Sequence, residues 1–292
     1  MAKGFMEHFK CGGEPERHIA TELCQRAGVE VSDVYCHSEA MAAMAHTICQ
    51  LEGDMLCKLP FATMAEAEQL GAKWNFISDK SQQPMPGALP YEKLIEVKIP
   101  TFSFDYGLMQ ENLQAIRLLK HKGERVSFNI EGPFTLLSLL VPSKEIYKGM
   151  RAQPELLRRL CEQLIDNIVL EAAYVAEAGA DVISYADPLI SCNMVSPKVY
   201  TTLCGDIIRE ALQRIMVAVP EVTVHVCSAT SAAFQRAGFC QCRPFVVPKE
   251  MCYGEALCFA RHQAGVQLVG HGCLQHSCCK MVKPVVYELK LC

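Results

Sequence analysis

"DVISYADP" (181–188) is an apolar run that ends on an acid and a proline, and helix-like sequence lies on both sides of it. Before it, "PELLRRLCEQLIDNIVLEAAYVAEAGA" (154–180) has helical spacing, with Pro154 suited to a first turn and Gly179 to a stop. After it, "SPKVYTTLCGDIIREALQRIMVAV" (196–219) offers Ser196 as N-cap and Pro197 at the first helical position. The next apolar run is "VTVHVC" (222–227). A strand, a helix and a second strand in this order form the unit of a parallel sheet.

Working outward, the same alternation extends from about residue 55 to the end. Further strand-like runs are "DMLCKLPF" (54–61), "LIEVKIPTFSF" (94–104), "RVSFNIEGPF" (125–134), "FCQCRPFVV" (239–247), "VQLVGHG" (266–272) and "PVVYELKL" (284–291). With the two above they make eight, the number that closes a (β/α)₈ TIM-type barrel of about 250 residues. Helices expected at 14–27 and 37–52 then form an N-terminal helical extension (1–53), and the whole of 1–292 reads as one domain. A doubly wound open sheet is the alternative. The stretch "SQQPMPGALP" (81–90) reads as loop. No Gly-rich phosphate fingerprint follows any strand, which disfavours a dinucleotide fold.

Half of the 292 residues are hydrophobic, ample for a large core, and the net charge of −4 gives no reason to expect nucleic acid. The first residues lack the apolar stretch of a secretory signal, and no run of eighteen apolar residues suggests a membrane span. Seventeen cysteines, an odd number in a long chain, fit reduced thiols in a cytoplasm better than a disulfide framework.

In a barrel, reactive residues sit where strands end. Those ends hold Glu131, Asp187, His225 with Cys227, and His271 with Cys273, all expected at one mouth. Residues i and i+2 of a strand point to the same side, so His225 and Cys227 can reach one ion, and Cys273 can add a third ligand. A His, Cys, Cys set suits Zn²⁺ and leaves a fourth position open, as in catalytic zinc sites. His271 is the alternative third ligand, or a hydrogen-bonding neighbour of the site. Against this, buried cysteines often serve only as small hydrophobes. Asp187 and Glu131 are read either as catalytic acids or as structural acids of the following turns. Cys240 and Cys242 share a strand face and form a weaker metal candidate, while Cys11, Cys278 and Cys279 read as incidental thiols.

The strings "NIEGPFTLLSLL", "VISYADPLIS" and "VTVHVCSATS", in this order and spacing, resemble the uroporphyrinogen decarboxylase superfamily. Within it the chain is similar to the corrinoid-dependent methyltransferases of the methylcobalamin:coenzyme M type, and "YGEALCFARHQAGVQLVGHGCLQ" resembles short bacterial members of that branch. The decarboxylase branch fits less well, because "FKCGGEPERHIATELCQRAG" lacks its N-terminal arginine-rich segment. The resemblance implies zinc held by His225, Cys227 and a later cysteine, placed here at Cys273. It also implies a thiol acceptor such as coenzyme M or homocysteine, or a related acceptor, and a methylcobamide donor. No Asp-x-His-x-x-Gly corrinoid motif occurs in the sequence, so the corrinoid is expected on a partner protein. A tetrapyrrole decarboxylase and a non-catalytic corrinoid- or zinc-binding protein are the competing expectations.

Overall fold

The computed structural model describes residues 19–76, 84–191, 194–248 and 251–292. Among the described residues two helices come first, α1 (Thr21–Ala27) and α2 (Ser38–Glu52), each stopped by a glycine in the left-handed region. They are followed by β1 (Leu56–Leu59), α3 (Met64–Gln69) and a small antiparallel pair, β2 (Trp74–Phe76) with β3 (Pro84–Pro86). Next come α4 (Gly107–His121), β4 (Arg125–Glu131), α5 (Pro133–Ser138), α6 (Ser143–Ala152), α7 (Pro154–Ala178) and β5 (Val182–Ala186). A π-helical turn at Tyr200–Cys204 leads into α8 (Gly205–Ala218). The chain then forms β6 (Thr223–Val226), α9 (Ser228–Arg236), β7 (Cys240–Val246), α10 (Tyr253–Ala264), β8 (Leu268–Gly270) and β9 (Val285–Leu291).

The architecture is TIM-type α/β, a mostly parallel sheet covered by helices. Its seven strands run β1-β4-β5-β6-β8-β9-β7, and the first five are parallel. Among the described residues no ladder joins β1 to β7. The parallel strands are apolar on both faces because helices lie over them: Val182, Ile183, Tyr185, Val224 and Val226 are all fully buried. Each such side chain stabilises the fold by about 1.5–3 kcal/mol. The long helix α7 buries Leu157, Leu160, Cys161, Leu164, Ile165 and Ile168, the stripe its three- and four-residue spacing dictates.

Asp181 sets the level of the strands. Its Oδ2 accepts from Val126 N and from Lys120 Nζ, both at 2.8 Å, and its own N donates to Val126 O. Thr223 N donates to Asp181 O in turn. The starts of β4, β5 and β6 are thereby pinned side by side, and their far ends share one rim.

Three expectations are corrected. The run 94–104 is not a strand: Leu94–Glu96 is a 3₁₀ turn, and β1 pairs directly with β4. Pro100 removes a donor there, and the backbone is satisfied by side chains instead. Phe102 N donates to Asn167 Oδ1 at 3.0 Å, Asn167 Nδ2 donates to Pro100 O at 2.8 Å, and Ser103 N donates to Gln69 Oε1. The second correction concerns β7 and β9, which are antiparallel to each other, with β9 also antiparallel to β8. Between β8 and β9 lies only the 3₁₀ turn Leu274–His276, with no helix to carry a parallel crossover. The third is the stretch 81–90, read as loop, which contributes β3. Of the helix expected at 14–27, the part before residue 19 lies outside the described residues, as does Cys11.

Candidate functional site

The rim at the C-terminal ends of β4, β5, β6 and β8 holds the residues singled out from sequence. His225 lies in β6 directly across from Ser184 of β5, and its Nδ1 is 3.3 Å from the Ser184 hydroxyl. The ring is 1% exposed, and Nε2 is buried with no hydrogen-bond partner. Burial pushes its pKa down to about 4, while a hydrogen bond between the ring and the Gly272 backbone acts in the other direction. The imidazole is therefore neutral at pH 7, the form that donates a lone pair to a metal.

Cys227 leaves the strand where α9 begins, its N donating to Tyr185 O at 2.9 Å and its O accepting from Ser231 N. Cys273 follows β8 and is buried. Between them stands a residue that sequence reading passed over, Tyr253, the first residue of α10. Its ring is fully buried and meets the His225 ring edge to face, centroids 6.0 Å apart. Burial pushes the phenol pKa up, and negative charge on Cys273 and then Cys227 pushes it further. A Cβ on Gly272 would stand 2.1 Å from Tyr253 Cζ and Oη. Only glycine lets the loop carrying Cys273 rest on this ring. An apolar helix start offers no chemical signature, which is why Tyr253 was not legible.

The strand-end residues converge, yet the donor atoms of His225, Cys227 and Cys273 are not all within 4.8 Å of one another. Among the described residues two groups meet that spacing, Cys49–Cys57–Glu124 and Glu52–Asp54–Cys278, both at the other end of the strands. The donor types at the rim suit zinc, and the orphaned Nε2 of His225 is the observation in favour. A cysteine side chain can shift its sulfur by changing between staggered χ1 wells.

His271, the alternative third ligand, has its Nδ1 buried without a hydrogen-bond partner. It stands in the left-handed region at φ 63, donates from N to Ser231 Oγ, and places Nε2 2.9 Å from Cys242 Sγ. The Cys240 thiol, and after it His271, hold Cys242 down at about 5. The two His-x-Cys strings thus differ: the second divides between two neighbourhoods.

Asp187 is wholly buried and serves the turn into α5. Oδ1 accepts from Thr135 N at 2.9 Å and Thr135 Oγ1 at 2.7 Å, and Oδ2 accepts from Phe134 N at 3.2 Å. Its own N donates to Thr230 Oγ1. Burial pushes the carboxyl up to about 7, against the three hydrogen bonds that lower it. A Cβ on Gly132 would lie 2.4 Å from Asp187 Oδ2, so the glycine makes room for the acid. Glu131, half-buried at the end of β4, accepts from Asn129 Nδ2 through Oε1 at 2.8 Å.

The sequence matches the uroporphyrinogen decarboxylase (URO-D) family over residues 14–271. It is 28% identical over 224 residues to the methylcobamide:CoM methyltransferase MtaA of Methanosarcina barkeri, covering 75% of this chain and 65% of that protein. It is 24% identical over 220 residues to the methylcobamide:CoM methyltransferase MtbA of Methanosarcina mazei, covering 72% of this chain and 62% of that one. The chain thus spans about two thirds or less of the length of these relatives. A solved structure of a methyltransferase from Methanosarcina mazei superposes with a TM-score of 0.64 at 24% identity, over 75% of this chain and 66% of that chain.

Proposed function

This chain belongs to the uroporphyrinogen decarboxylase family, and from that premise we propose a zinc-dependent methyltransferase acting between a methyl-corrinoid protein and a small thiol. The relatives named for methylcobamide:CoM methyl transfer support the reaction class. The observation that carries the zinc is the buried, unpartnered Nε2 of His225 on the rim that also bears Cys227 and Cys273. Bound there, zinc would supply Lewis acidity that keeps an acceptor thiol deprotonated at neutral pH.

The chain's own residues do the rest. His225 offers a neutral nitrogen because burial disfavours its protonated form. Ser184, across the ladder, fixes the ring's orientation through Nδ1. Tyr253 fills the space beneath the loop of the buried Cys273. Asp187 positions the start of α5 and the end of β5, a supporting role in place of contact with reactants. Glu131, at the rim, would orient the acceptor. The corrinoid is expected on a separate protein, docking over the strand ends in the cytoplasm. Among the described residues no helix is long and apolar enough to cross a membrane.

Zinc analysis together with methylcobalamin demethylation in the presence of a thiol tests this reading. Cys227→Ala is expected to remove both metal at the rim and activity. Undiminished demethylation by that variant would reject the proposal, and metal-independent turnover of a porphyrinogen would favour the decarboxylase reading.

A further inference from the structure

At the opposite end of the sheet, three donors from three segments come together. Cys49 lies in the last turn of α2, Cys57 is the second residue of β1, and Glu124 directly precedes β4. One donor atom of each is within 4.8 Å of those of the other two. Cys57 is fully buried and Cys49 is 2% exposed. The thiols hydrogen-bond to each other, and that bond pulls Cys49 below its ordinary pKa while pushing Cys57 up. Cys49 Sγ also donates to Asp54 O at 3.0 Å.

His46 stands one turn before Cys49 on the same face of α2. Its Nδ1 is 2.8 Å from Glu124 Oε1, yet this buried nitrogen makes no aligned hydrogen bond. His46 thus pairs with the carboxylate of this group, and it stands beside the three residues whose donor atoms share the 4.8 Å spacing. The nearby Glu52–Asp54–Cys278 group differs. Asp54 already accepts from Met55 N, Leu56 N and Ser277 Oγ and pairs with Lys58 Nζ at 2.8 Å, so its oxygens are satisfied within the protein.

We propose that Cys49, Cys57 and Glu124, completed by His46, bind a thiophilic divalent cation of the zinc class and clamp α2 to the paired strands β1 and β4. Two sulfurs, a carboxylate oxygen and an imidazole form a tetrahedral set that selects zinc-like ions over calcium or magnesium. Binding turns two thiols into two metal–thiolate bonds and releases two protons to solvent. The site then carries one net negative charge, and Lys58, close enough for its charge to act on Cys49, offsets it. Residues at the N-terminal ends of barrel strands serve stability, so this ion's role is structural.

The test uses the full chain, reduced and kept anaerobic, with Cys227→Ala to silence the rim site, and Co²⁺ as the probe. One equivalent is expected to bind, with a sulfur-to-cobalt charge-transfer band, tetrahedral visible absorption and a raised Tm. In that background Cys49→Ala should abolish the band. Glu124→Gln, at a partly exposed position that leaves the core intact, should weaken Co²⁺ affinity by about tenfold or more. Absence of a thiolate band in the Cys227→Ala protein, or a band that survives Cys49→Ala with circular dichroism unchanged, would overturn the proposal. The outcome is independent of the rim, whose own failure shows as methyl transfer that does not respond to Cys227→Ala.

Discussion

Asp187, which reads from sequence as either a catalytic or a structural acid, accepts three hydrogen bonds at the turn into α5. Its carboxyl is raised from 3.8 to about 7 in the folded protein by burial. A carboxyl held above its unfolded value stabilises the native state below pH 4, and that contribution is lost as pH rises through about 7. The gap corresponds to at most about 4 kcal/mol, since each pKa unit is worth about 1.4 kcal/mol. Asp187→Asn keeps the shape and one acceptor oxygen but cannot ionise. Urea unfolding of wild type relative to Asp187→Asn should show a difference that shifts against wild type between pH 4 and 7. A constant difference across that window would show that the carboxyl does not titrate there. Gly272→Ala makes a second residue-scale case. The new Cβ would collide with Tyr253 at 2.1 Å, where both the ring and the loop backbone are held. Overpacking of this kind costs about 1–3 kcal/mol, so a Tm drop with loss of rim metal is expected. A fully stable, metal-competent variant would remove Tyr253 from the account.

At the scale of elements, the parallel strands were legible because burial on both faces leaves continuous apolar runs, as at 125–131, 182–186 and 223–226. The run 94–104 is also rich in apolar residues and is no strand, because its hydrogen bonds go to the side chains of Asn167 and Gln69, partners distant in sequence that no local periodicity reveals. Asn167→Ala would leave the buried Phe102 N without its partner, at about 1–3 kcal/mol, and would also remove the donor to the exposed Pro100 O. Hydrogen exchange should then accelerate at Phe102 while the β4 and β5 amides stay protected. Equal protection at Phe102 in the variant would show that other contacts hold the segment. The second His-x-Cys string lies beyond the strand it was read on. Alternation places i and i+2 on one side only inside a strand, and β8 ends at Gly270. His271, with φ 63, turns away toward Cys242, while Cys273 stays near Tyr253. The candidate site was thus half legible: His225, Cys227 and Cys273 from chemistry and spacing, Tyr253 from neither.

For the whole molecule, the consequential difference from expectation is the place of β9. Eight strand-like runs suggested a final strand added in sequence order at the barrel's end, yet β9 lies inside the sheet, between β8 and β7. It holds β7 over the full register from Cys240↔Leu291 to Val246↔Val285, and it pairs with the short β8 at Val269↔Glu288 and Gly270↔Tyr287. Val286 and Leu289 are buried from it into the core. Because β7 has no other neighbour in the sheet among the described strands, removal of β9 would free β7 as well. The unpaired edge of β8 would then lie directly below the loop of His271 and Cys273. Truncation after Lys283 should therefore abolish the rim site and the cooperative transition together. The expected signature is helical far-UV circular dichroism with lost near-UV signal, dye-accessible apolar surface and aggregation from the exposed strand edge. Lys290→Ala, an exposed change on the same strand, should alter stability by no more than about 0.5 kcal/mol. A truncated chain that unfolds cooperatively and still binds metal at the rim would mean that β6 and β8 hold the site without the strand threaded beside them.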